Sequence, residues 1–137
     1  MPIKKKIKLK KKLNLRYKSN TLFICPVSLG LKGTPIFFAP EIWQEYKYSK
    51  ASDVYAFAFI VYEILTLNEP FKNCIFPIIY TRVVLKGERP ELDESIPGCH
   101  HNLIKKCWSP NPDERMTFNE IVEELKKNEE FRGDSNF

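Results

Sequence analysis

The chain has 137 residues, 43% hydrophobic and 28% charged, enough for one domain with a modest core and too apolar for a wholly disordered polymer. The net charge of +5 is unevenly placed: residues 1–32 hold nine Lys, one Arg and no acid, which is +10, so residues 33–137 carry −5. Attraction to nucleic acid or acidic lipid therefore belongs to the first segment alone.

In chain order, the first eighteen residues place Ile3, Ile7, Leu9, Leu13, Leu15 and Tyr17 at odd positions with lysines between them. That period of two fits a strand with one apolar and one cationic face, and mutual repulsion of the lysines fits a disordered segment equally well. As function, Lys4–Lys12 fits a nuclear address, a weak contact with an anionic membrane or a nucleic-acid tether. Only Tyr17 offers an aromatic ring there, so base stacking is poorly supported. Residues 21–31 form a short apolar run in which Ser28-x-Gly30 resembles a cleavage site. Pro26 interrupts the run and the basic region before it is long, so we do not read a signal peptide.

From Pro40 a short helix is expected through Ile42 and Trp43, with proline suited to the first turn. The next helix, about residues 52–66, is the central one. Between Val54 and Leu65 only Glu63 is charged, so the helix is expected to be buried on every side. Ser49 or Ser52 can cap it, Asp53 lies in its first turn where the helix dipole favours a carboxylate, and Asn68-Glu69-Pro70 ends it. It falls short of the ~20 apolar residues needed to span a bilayer.

Pro77 opens a further helix, with Ile79 and Val83 inward, Arg82 and Lys86 in solvent, and Gly87 as a left-handed stop. Residues 88–98 read as an exposed loop. Leu103, Ile104, Cys107 and Trp108 recur at helical spacing, and Ser109-Pro110-Asn111-Pro112 breaks that helix. Thr117-x-x-Glu120 then forms a capping box, with Met116 and Ile121 placed as a hydrophobic staple and Phe118, Ile121, Val122 and Leu125 as the inner face. The four cysteines, Cys25, Cys74, Cys99 and Cys107, include no C-x-x-C pair and fit reduced thiols in a cytoplasmic protein. Cys99-His100-His101 with Cys107 does not meet metal-ligand spacing.

Gly33-Thr34-Pro35, Ala39-Pro40-Glu41 and Asp53-Val54-Tyr55 resemble the end of a protein-kinase activation segment and the helix after it. Gly87-x-Arg89-Pro90, then Cys107-Trp108-x-x-x-Pro112-x-x-Arg115 with Phe118, is similar to the closing signature of tyrosine-kinase-like and tyrosine kinases. These motifs, in the family's order and separation over about residues 33–126, make coincidence improbable. The resemblance implies a mainly α fold, the C-terminal part of a kinase large lobe, in three parts: a basic segment at 1–32, a kinase-like domain at 33–127 and a polar tail at 128–137.

By the same resemblance Thr34, Pro35, Ile36 and Phe37 contact a protein substrate, with Thr34 pointing to serine or threonine acceptors. Glu41 and Arg115 form a buried ion pair, and Asp53 braces a catalytic loop. Ala58 stands where glycine is usual, and Glu63 either faces a basic substrate residue or is satisfied within the lobe. A complete member binds ATP and magnesium. This sequence shows no Gly-rich phosphate loop, V-A-I-K lysine, H-R-D or D-F-G motif, so neither cofactor nor catalytic residue is expected in it. Three functions remain open: part of a serine/threonine or dual-specificity kinase inactive alone, a catalytically dead kinase-like module binding a partner protein, and an anion-binding protein acting through its basic tail. The expected location is the cytoplasm, or the nucleus if the lysine run is an address.

Overall fold

The computed structural model describes residues 30–132, apart from the side chains of residues 130 and 132. The readings made for the N-terminal lysine run, Cys25 and the end of the polar tail lie outside those residues. The described elements belong to one unit, Leu31–Phe137. A 3-10 turn at Pro35–Phe37 leads into α1 (Pro40–Glu45) and α2 (Lys50–Thr66). Then come α3 (Phe76–Tyr80), which runs on as a π turn over Thr81–Leu85, α4 (Gly98–Cys107), a 3-10 turn at Pro112–Glu114, and α5 (Phe118–Lys127). A last 3-10 turn covers Glu129–Arg132. No strand occurs among the described residues, so the fold is mainly α. Among them, no helix is long and apolar enough to cross a membrane.

The start of α2 is set by two serines acting together. Ser52 N donates to Ser49 Oγ at 3.2 Å and Ser49 N donates to Ser52 Oγ at 2.8 Å, a reciprocal box that begins the helix at Lys50, two residues before the sequence suggested. Its end is Leu67, a left-handed cap with φ 54°, and Thr66 Oγ1 bridges Tyr62 O and Asn68 N. Gly87 takes φ +66° after the π turn, the left-handed stop that glycine adopts without steric cost.

The core lies between α2 and α4, the helix α2 packs against most. Val54, Tyr55, Ala58, Phe59 and Tyr62 face Leu103, Ile104, Cys107 and Trp108, all of them buried. The rings interlock, with Phe59 5.5 Å from Trp108 and 5.2 Å from Tyr55 between centroids. Each large side chain so buried contributes about 1.5–3 kcal/mol. The same packing removes Cys107 from water, and burial pushes its thiol up to about 12.

Three sequence expectations need correction. α2 is not enclosed on every side, because Ile60, Ile64 and Leu67 are 48%, 68% and 89% exposed and Phe57 is half-buried. Its main helical partner, α4, lies on the opposite face, and composition carries no record of where neighbours stand. In α5 only Ile121 is fully covered, at 2% exposure, while Phe118 and Val122 are 42% and 45% exposed. Arg82 is not simply solvated: its Nε donates to Glu88 at 2.6 Å and its guanidinium lies 4.9 Å from the Phe71 ring centroid.

Ile121→Ala should therefore lower stability by about 2–4 kcal/mol, and Val122→Ala by less than ~0.5 kcal/mol, read as urea midpoints. Equal losses would place Val122 in the core.

Candidate functional site

The segment before α1 is held from two sides. Tyr48, in the loop before α2, accepts from Lys32 N at 2.9 Å and donates to Lys32 O at 2.8 Å. Gly33 follows with φ +117°, and a Cβ there would stand 3.0 Å from Phe38 Cε1, so backbone and neighbour both call for glycine. Phe38 is buried edge-on against Trp43 at 5.5 Å. Between these anchors Thr34 is exposed, Pro35 is buried, and Ile36 and Phe37 are half-buried. Phe37 reaches the Phe59 ring of α2 at 6.4 Å, so this short turn rests on the core and presents Thr34 outward.

Glu41, in the first turn of α1, and Arg115, after the Pro112–Glu114 turn, come together although 74 residues apart. Arg115 Nη1 donates to Glu41 Oε1 at 2.7 Å and Nη2 donates to Oε2 at 2.8 Å, with both residues buried. The remaining donors reach backbone carbonyls: Nε to Ser109 at 2.8 Å, Nη1 to Ala51 at 2.9 Å and Nη2 to Pro110 at 3.3 Å. All five guanidinium N–H groups are thus engaged, which a lysine could not reproduce. The carboxylate also sits where the α1 dipole favours negative charge.

Beneath the pair lies Tyr55, over whose ring both the Arg115 and Arg89 guanidiniums stand, at 5.0 and 5.1 Å. Burial pushes its phenol up to about 12, against the pull of the two cations. Arg89 donates to the carbonyls of Trp108, Val83 and Glu88, and no carboxylate pairs with it among the described residues. Burial holds its guanidinium below the ordinary value, and nearby Arg115 adds to that. Tyr55 Oη, Arg89 Nη2 and Trp43 Nε1 are buried with no hydrogen-bond partner among the described residues. The sequence named Arg89 and Tyr55 only within motifs. The charged neighbours Lys86, Glu88 and Glu91 gave no sign that Arg89 would be drawn against the core.

Asp53 is exposed in the first turn of α2, and its carboxylate bonds to no described residue. It borders a groove of about 670 Å³ with Lys50, Thr117 and Phe118. Glu63 is half-buried on α2 and likewise has no side-chain partner among the described residues. His101 Nε2 lies 2.8 Å from Asp93 O and His100 Nδ1 lies 3.2 Å from Cys99 Sγ. No cluster of His, Cys, Asp or Glu among the described residues could hold a metal ion.

A short turn resting on the core through Phe37, beside a buried Glu–Arg fork that ties α1 to the bend after α4, defines a compact set of helices. Comparison with known proteins gives the family. The model of protein tyrosine and serine/threonine kinases matches residues 27–125, and the chain belongs to that family. It is 37% identical over 98 residues to a probable LIM domain-containing serine/threonine-protein kinase of Dictyostelium discoideum, covering 69% of this chain and 14% of that protein. It is 35% identical over 100 residues to the dual specificity protein kinase shkE of the same organism, covering 72% and 14%. A putative serine/threonine-protein kinase/receptor of Acanthamoeba polyphaga mimivirus is 36% identical over 90 residues, covering 66% and 5%. The chain thus spans a small part of each relative's length.

Glu41→Ala and Arg115→Ala should each cost about 3–5 kcal/mol, since each leaves a buried charge unpaired, and the double substitution should cost clearly less than their sum. Urea midpoints measure this, or soluble yield where no transition remains. Two small additive losses would show that the charges do not depend on each other.

Proposed function

We propose that the chain is the substrate-side, C-terminal part of the large lobe of a serine/threonine or dual-specificity protein kinase, and that it does not transfer phosphate alone. The observation that carries this reading is the Glu41–Arg115 fork, because it fixes the turn at Pro35–Phe37 to the helical body and leaves Thr34 facing outward. In this reading Thr34, Pro35, Ile36 and Phe37 form the surface on which an acceptor residue of a protein substrate is laid. Asp53 stands open at the helix start, ready to brace a loop supplied by residues outside those described.

ATP and magnesium do not fit the described residues. Phosphoryl transfer depends on groups that hold the phosphates and the metal. The described carboxylates form no cluster that could hold a metal ion, and the sequence contains no Gly-rich phosphate loop. We therefore assign no step of transfer to this chain.

The open face of α2 favours a second reading, a kinase-like module that binds another polypeptide. Phe57, Ile60 and Ile64 recur at intervals of three and four, and Phe57 meets Phe118 of α5 at 5.8 Å, so the apolar strip runs from α2 to α5. For the lysine run we propose a charge-only contact with anions, which would allow a nuclear as well as a cytoplasmic site of action.

The purified chain should show no magnesium-dependent nucleotide binding by calorimetry and no phosphate transfer to protein substrates. Saturable binding abolished by a substitution between Gly33 and Arg115 would overturn the first reading. Affinity for nucleic acid or acidic vesicles should fall steeply with salt and disappear on deletion of residues 1–20. Binding that survives that deletion would place an anion site in the acidic body.

A further inference from the structure

The stretch from Pro70 to Gly87 departs from the charge of its surroundings: it holds Lys72, Arg82 and Lys86 and no acid, although residues 33–137 together carry −5. Most of it is α3 and its π turn. Ile79, Tyr80 and Val83 are buried, with Tyr80 packed on Trp43 of α1 at 5.6 Å, so the inner side of this element is occupied by the fold itself. The outer side is aliphatic. Ile75, the residue before α3, is 64% exposed, and Ile78 and Leu85 are 46% and 64% exposed.

Exposed aliphatic residues taken singly need no explanation, but here three of them share one element with an excess of positive charge. Arg82, between Ile78 and Leu85 in the chain, is held in place: Nε donates to Glu88 at 2.6 Å, Nη1 donates to Cys74 Sγ at 3.6 Å, and the guanidinium stands over the Phe71 ring. Its Nη2 bonds to no described residue. Glu88 also lies 3.8 Å from Lys86, whereas Lys72 is exposed and makes no ion pair among the described residues, so one carboxylate serves three cations. The backbone is unusual at the same place. Lys86 N donates to Thr81 O at 3.0 Å to close the wide π turn, a geometry that is rare and recurs at functional positions.

Charge complementarity selects the occupant, because a cationic aliphatic face on an acidic body favours a partner that is apolar and negatively charged. Length selects its form. From Ile75 to Leu85 the element runs about 15 Å at helical rise, the length of about three turns of a helix laid beside it. We propose that this face docks an amphipathic helix of a partner protein, with its aliphatic residues against Ile75, Ile78 and Leu85 and its carboxylates toward Lys72, Arg82 and Lys86. The apolar strip of α2 is a poorer seat for the same partner, since Asp53 and Glu63 on that helix repel carboxylates. The α3 face shares no residue with that strip or with the Thr34–Phe37 turn, so it stands whether or not the phosphotransfer reading does.

The test is a titration of the ¹⁵N-labelled full chain with a hydrocarbon-stapled helical peptide that carries leucine on one face and glutamate on the other. A scrambled peptide of the same composition and a helix with lysine in place of glutamate serve as controls. Amide shifts should concentrate at residues 72–88 for the glutamate helix and be several-fold weaker for both controls. Ile78→Ser with Leu85→Ser should weaken binding at least about tenfold, and Lys72→Gln with Lys86→Gln about threefold or more. Neither pair should change the melting temperature, because all four side chains are exposed. Equal binding of either control, unchanged affinity in either variant, or no saturation would overturn the proposal. Shifts centred on residues 57–67 and 118–122 would assign the peptide to the α2 strip, and self-association of the chain that the serine variant abolishes would assign the face to a second copy; both outcomes overturn it as well.

Discussion

The guanidinium of Arg115 is the constraint from which the rest of this fold takes its arrangement. Five donors meet a carboxylate and three carbonyls drawn from α1, the first turn of α2 and the bend after α4. Each bond taken alone is modest, but a buried cation must satisfy all its donors or lose several kcal/mol, so the acceptors must arrive together. α1 is only six residues long and could not hold its own position by helical hydrogen bonds. The fork supplies that position, and with it the orientation of the turn before α1.

Tyr55 extends this centre into the hydrophobic core. Two guanidiniums stand over its ring, which also packs tilted against Phe59, itself against Trp108, so charge and apolar packing meet in one side chain. Arg89 is the less settled of the two cations, tied to three carbonyls and no carboxylate among the described residues. Its role is mechanical, joining the turn after α3 to the end of α4 across the ring.

How much of this could be read beforehand follows from the range of each signal. Thr117-x-x-Glu120 encodes its box within four residues, and the structure shows the reciprocal bonds. The central helix was legible from its uninterrupted apolar run, and its start slipped by two residues because Ser49 and Ser52 work as a pair. Which face of α2 is covered was not legible, since Ile60 and Ile64 are as apolar as Phe59, and only the placement of α4 separates them. Glu41 and Arg115 were named together from motif positions, because 74 residues of separation leave no periodic trace.

The phenol of Tyr48 engages both the amide and the carbonyl of a single residue, Lys32, much as the edge of a neighbouring strand would. A side chain that imitates a strand fixes the rotation of the peptide plane as well as its position, so the backbone enters Gly33 with its heading already set. The peptide bond after Lys32 is the kind that trypsin-like proteases select. With the lysine amide and carbonyl both occupied, neither group can bond to such an enzyme unless the tyrosine lets go. Exchange of the Lys32 amide proton with solvent thus becomes a direct gauge of how often this segment leaves its seat.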